Sequence, residues 1–190
     1  MKFFEILQYL SLITILIAAF KYRSSSLSIF FGLLALNDII GFVLWTFFSI
    51  SGQSSWIPIF YLILFSTNKS FIKKWKIYIL FGLILILLLN QYSTVKIQQY
   101  FVLMINVIIM FLFLRLLITE FVQKDEFRIL YLILTLYQLL IIFNLMAFIR
   151  DLKIGLDIYF AGIIGIILIH IFLIVLKEDA FINIKKIYKS

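Results

Sequence analysis

Seven apolar stretches fill this chain, and its lysines and arginines collect in every second gap between them. The stretches run over residues 3–20, 27–50, 56–68, 75–89, 100–118, 127–149 and 156–176. A helix needs about 20 apolar residues to cross the hydrocarbon of a bilayer, and about 17–25 is usual. The third and fourth stretches are short by that measure. They are expected to borrow length from Lys69, Lys73 and Lys76, whose stems snorkel into the interface. Trp56, Trp75 and Tyr100 stand where an aromatic belt would place them.

Composition supports the same class. Hydrophobic residues make up 65% of the 190 positions and charged residues only 14%, more apolar surface than a soluble core of this size can hide. One proline and seven glycines leave helices uninterrupted. Long Ile/Leu/Phe runs without period-2 alternation argue against a β-barrel. The expected fold is all-α: a polytopic transmembrane bundle over residues 1–176, with a basic amphipathic tail at 177–190 that is not a separate domain.

Counting cations by side gives the orientation. Lys21, Arg23, Lys69, Lys73, Lys74, Lys76, Arg115, Lys124, Arg128, Lys177, Lys185, Lys186 and Lys189 share one side, 13 of the 17. Lys2, Lys96, Arg150 and Lys153 lie on the other. Seven crossings therefore place the N-terminus outside and the tail in the cytoplasm. A six-crossing alternative omits the third stretch and keeps the tail inside, with a weaker bias. Lys2, an apolar run and Ala18-Ala19 imitate a signal peptide. Glu5 and Gln8 interrupt that run and Lys21 follows at once, so an uncleaved first helix is expected. The predicted location is the inner (plasma) membrane.

The net charge of +8 is accounted for by this topology and by attraction to an anionic inner leaflet, which makes nucleic acid an improbable partner. The chain has no cysteine, which excludes disulfides, thiolate nucleophiles and Cys-metal sites. A single histidine and one deeply placed aspartate are too few ligands for a metal site, so no metal and no cofactor are expected. No nucleophile elbow, paired intramembrane carboxylates or Gly-rich phosphate loop occurs, and no strand is expected. The chain reads as a non-enzyme.

Polar side chains inside a bilayer are costly and mark function by default. Asn37, Asp38, Gln138 and His170 form the candidate intramembrane cluster. At 1.5 Å per residue, Asp38 lies roughly 16 Å and His170 about 10 Å from the inner ends of their helices. Those depths allow a direct or water-bridged contact if the helices are neighbours, with Gln138 joining at a similar level. The bland alternative is a hydrogen-bond set that fixes helix register, worth about 0.6 kcal/mol per bond. Ala161, Gly162 and Gly165 supply small-xxx-small spacing, for packing within the monomer or for an oligomer seam. Two cytoplasmic basic patches follow, Lys69/Lys73/Lys74/Lys76 and Lys185/Lys186/Lys189. In the second, Phe181, Ile184 and Ile187 or Tyr188 recur at helical spacing, which predicts a short helix on the inner leaflet.

Leu36-Asn37-Asp38-Ile39-Ile40 resembles the carboxylate-bearing second span of small seven-span inner-membrane proteins of unknown function found in Bacteroidetes. The run Ile59-Phe60-Tyr61-Leu62-Ile63-Leu64-Phe65 is similar to that group's aromatic third span, where a glutamate would stand at Leu64. In size and in basic, isoleucine-rich composition the chain also resembles the multi-span accessory proteins of type VI-B CRISPR loci, which would imply a part in antiviral defence. Three roles follow from the sequence as expectations. They are a sensor, accessory or assembly subunit working through a cytoplasmic protein, an oligomeric channel or membrane-disrupting effector, and a small-molecule or proton-coupled carrier.

Overall fold

The computed structural model describes residues 2–25, 27–48, 53–66, 69–149, 155–177 and 180–183. Seven helices follow the seven apolar stretches: α1 Lys2–Lys21, α2 Ser28–Phe48, α3 Gln53–Ser66, α4 Lys69–Tyr92, α5 Val95–Lys124, α6 Ile129–Ile149 and α7 Gly155–Val175. Among the described residues α2, α5 and α6 are long and apolar enough to cross a membrane, and α1, α3 and α7 contribute shorter apolar helices. The third stretch remains the shortest helix. It carries the single proline, Pro58, which removes one backbone donor from its ladder.

Side-chain patterning explains how the helices associate. On α1, α2, α5, α6 and α7 a line of buried residues opposes a line of exposed large hydrophobics, while among the described residues α3 exposes no large hydrophobic and α4 buries only Ile79. Six helices close into a ring in the order α1, α2, α3, α5, α6, α7 and back to α1, while α4 packs on the outside of α3. The core is aromatic on one side: Phe30 meets Phe113 edge-on at 5.1 Å, and Tyr22 stacks on Phe31 at 4.5 Å.

Directions can be read from the contacts. Tyr9 meets Phe42 at 5.4 Å, so α1 and α2 run antiparallel. Tyr137 meets His170 at 5.4 Å, so α6 and α7 do likewise. The first and last helices run parallel. Lys21, at the end of α1, donates to the Leu173 and Ile174 carbonyls at 3.0 and 2.7 Å and also to that of Leu176, all at the end of α7. A cation placed on the terminal carbonyls of a helix also complements its dipole.

Two local devices shape the end of the bundle that holds Lys21. Asp125 caps α5 in the left-handed region, φ 53°, and its N–H donates to the Phe121 carbonyl at 3.1 Å, a conformation Asp tolerates better than most residues. Glu120 then gathers Lys124 and Arg128 at 2.9 and 3.4 Å.

The tail differs from expectation. Instead of continuing a helix, Phe181–Asn183 forms strand β2, antiparallel to β1, Glu126–Arg128, with Phe127 opposite Ile182. The expectation of a strand-free chain is corrected with it. Residues 126–128 leave α5 extended after the Asp125 cap, and a strand edge in reach satisfies backbone groups of the tail that a lone short helix would leave to solvent. Lys185, Lys186, Lys189, Ile184, Ile187 and Tyr188 lie outside the described residues.

Candidate functional site

The polar groups of the interior gather where α1, α2, α6 and α7 face one another. His170 is fully buried, 1% exposed. Its Nδ1 lies 3.2 Å from Thr14 Oγ1 on α1, and its ring rests against Tyr137 of α6. Thr14 has one hydroxyl hydrogen and sits 2.9 Å from the Leu10 carbonyl and 3.0 Å from that of Ser11. That hydrogen has three acceptors in reach, the two carbonyls and His170 Nδ1. Nε2 has no hydrogen-bond partner among the described residues.

Asp38 is half-buried on α2 and accepts from Asn37 Nδ2 at 3.5 Å. It lies within electrostatic reach of Tyr137. No hydrogen bond between Asp38 and His170 occurs among the described residues. Gln138 is fully buried with neither amide atom bonded, and Asn37 Oδ1 is also without a partner. Asn106 is buried in α5, where its Nδ2 donates to the Val102 carbonyl at 2.8 Å. Burying an unpaired amide away from water costs about 1–3 kcal/mol, a cost that Gln138 carries.

Thr14 and Tyr137 were not singled out by the sequence. A threonine and a tyrosine within apolar helices carry no signal until their neighbours are known. The signal that could have found Thr14 is its spacing: Gln8, Ser11 and Thr14 stand at i, i+3 and i+6 on α1, a polar stripe along one side.

That stripe belongs to a wider pattern. The residues of α1 and α2 opposite their exposed apolar lines change from half-exposed to buried along the bundle. On α1 the line runs Gln8 and Ser11, half-exposed, then Ile15 and Ala18, buried. On antiparallel α2 it runs Gly41 and Asp38, half-exposed, then Leu34 and Phe31, buried. On α7 the corresponding line is mixed: Gly162 is buried, Ile166 half-exposed, and His170 and Leu173 buried. A Cβ added to Gly41 would meet nothing within 4 Å.

The small residues divide. A Cβ on Gly162 would fall on the Asn144 amide of α6, and one on Gly165 would approach Leu140 Cδ1 to 3.1 Å. These two glycines serve the α6–α7 contact within one chain, while Ala161 is exposed. Of the basic patches, Lys73, Lys74 and Lys76 are exposed, and the Lys69 side chain lies outside the described residues. Among the described residues no three His, Asp or Glu side chains come together as a metal site would require. The chain matches no protein-family model, no curated protein and no solved structure.

Proposed function

We propose that this chain is a non-catalytic, seven-crossing inner-membrane protein with its N-terminus outside, which acts through its cytoplasmic face as a sensor or accessory subunit. The observation that carries the reading is the build of the cationic end. There the end of α1 is bonded to the end of α7 through Lys21, and the tail returns to pair with the α5–α6 connection. Cations at a cytoplasmic end do not by themselves require such stitching. A face that must hold its shape for a partner does, and exposed Lys73, Lys74 and Lys76 add charge to it. The parallel packing of α1 and α7 supports an odd number of crossings, since six would set them antiparallel.

The test is the mass of the protein after gentle purification from its own host in nanodiscs. A complex with a cytoplasmic protein, lost in the Lys73→Gln/Lys74→Gln/Lys76→Gln variant, is the expected result. A clean monomer removes the accessory reading, and a homo-oligomer promotes the channel. A small-molecule carrier is the second reading. It is favoured by inward lines of α1 and α2 that are packed at one end and half-exposed at the other, as in a carrier open to one side. Counterflow in proteoliposomes separates a carrier from a sensor.

A further inference from the structure

We propose that the α1–α2–α7 side of the ring is a water-filled crevice that opens at the N-terminal end of α1, has His170 at its floor, and prefers small cations through Asp38. The opening is extracytoplasmic if the orientation proposed above holds, and the ligand class deepens that sensor reading.

Two helices, α1 and α2, carry the crevice independently, and α7 closes its side. Lipid-facing residues occupy one pole of each: Ile6, Leu10, Ile13 and Ile17 on α1, Leu36, Ile39 and Val43 on α2, Ile164, Leu168 and Ile171 on α7. At 100° per residue, Ser11, Asp38, Gly41 and Ile166 fall on the opposite poles, toward the ring interior. Residues there should be the most buried of all. Near the Lys21 end they are: Ile15, Ala18, Phe31 and Leu173 are each at most 1% exposed. Toward the other end the α1 and α2 lines are half-exposed, and a Cβ built on Gly41 meets no described residue within 4 Å. Interior surface exposed at one end only is a crevice, and the polarity of Gln8, Ser11, Asn37 and Asp38 makes it a wet one.

The chemistry of the floor sets the ligand class. Asp38 brings a carboxylate. His170 lies buried beneath it, its Nδ1 against Thr14 Oγ1. No lysine or arginine stands on the inward lines of α1, α2 or α7 among their described residues. The carboxylate attracts cations and repels anions.

The absence of native cysteine allows a direct test. Single variants Ser11→Cys and Gly41→Cys, with Ile13→Cys and Ile39→Cys as lipid-facing controls, are exposed to membrane-impermeant methanethiosulfonates in intact cells and in inverted vesicles. One reagent carries trimethylammonium and the other sulfonate, and rates are normalised to those with a free thiol in solution. Only ionised, water-reached thiols react. The expected result is reaction at positions 11 and 41 in intact cells and none at 13 or 39. The cationic reagent should be favoured about two- to fifteen-fold at low salt, as for a unit charge about 10 Å away at intermediate dielectric. Asp38→Asn should abolish that preference. Folding of each variant is checked by a monodisperse elution profile, and Gly41→Cys adds its side chain to open space. If positions 11 and 41 are as inert as the controls from both sides, the crevice does not exist. Reaction without a cation preference, or with one that survives Asp38→Asn, overturns the ligand class. Reaction only in inverted vesicles upholds the crevice and overturns the proposed orientation.

Discussion

Thr14 Oγ1 and His170 Nδ1 meet at 3.2 Å across 156 positions of chain, joining the first helix to the last. Together with Lys21 on the α7 carbonyls, this contact closes the helix ring. Thr14→Val keeps the side-chain shape and leaves Nδ1 unpaired. The expected loss is about 1 kcal/mol, within the range for intramembrane hydrogen bonds, read as a lower midpoint of thermal unfolding in detergent. Thr14→Ser should retain most of the stability. Equal stability of Thr14→Val and the parent protein would show that the pair contributes nothing.

Lys21 offers a second test of the same seam. Its ammonium reaches the terminal carbonyls of α7, groups that no further helical turn satisfies. Lys21→Met is expected to cost about 0.5–2 kcal/mol and to speed proteolysis after Val175. Lys21→Arg should restore much of the protection. Unchanged cleavage in Lys21→Met would remove the clamp from the account.

How much of this was legible beforehand depends on the kind of contact. The seven described helices coincide with the seven apolar stretches, and α2, α5 and α6 are long and apolar enough to cross a bilayer, where backbone groups must pair within the segment. Asp38, Gln138 and His170 stood out by polarity alone. What the sequence did not disclose is which helices are neighbours. His170 packs on Tyr137 and meets Thr14; neither partner is unusual in composition. Phe181–Asn183 formed a strand and not a helix for a related reason. Phe181 and Ile184 fit a helical period, but the strand partner at Glu126–Arg128 lies 55 residues away in register, beyond any local pattern.

Two glycines should respond oppositely to the same substitution. Gly162→Ala drives a methyl group into the Asn144 amide, with an expected cost of about 1–3 kcal/mol. Gly41→Ala meets open space and gains helix propensity, up to about 1 kcal/mol. Combining Gly162→Ala with Asn144→Ala should recover part of the loss, measured as a coupling energy in a double-mutant cycle. Additive losses would mean that the two residues do not share the space.

The strand pair can be trapped chemically. Phe127 and Ile182 stand directly opposite one another, where cross-strand Cβ atoms are about 4.5–5.5 Å apart, close enough for a disulfide with slight adjustment. In this cysteine-free chain, Phe127→Cys/Ile182→Cys should oxidise readily and become protected from alkylation until reduced. The offset pair Phe127→Cys/Phe181→Cys should oxidise much more slowly, since neighbouring strand positions point to opposite faces. A tail lying as an amphipathic helix on the leaflet would leave the thiols of both variants equally free. The contrast between the two variants therefore decides whether the last described segment is tied to the α5–α6 connection or rides on lipid.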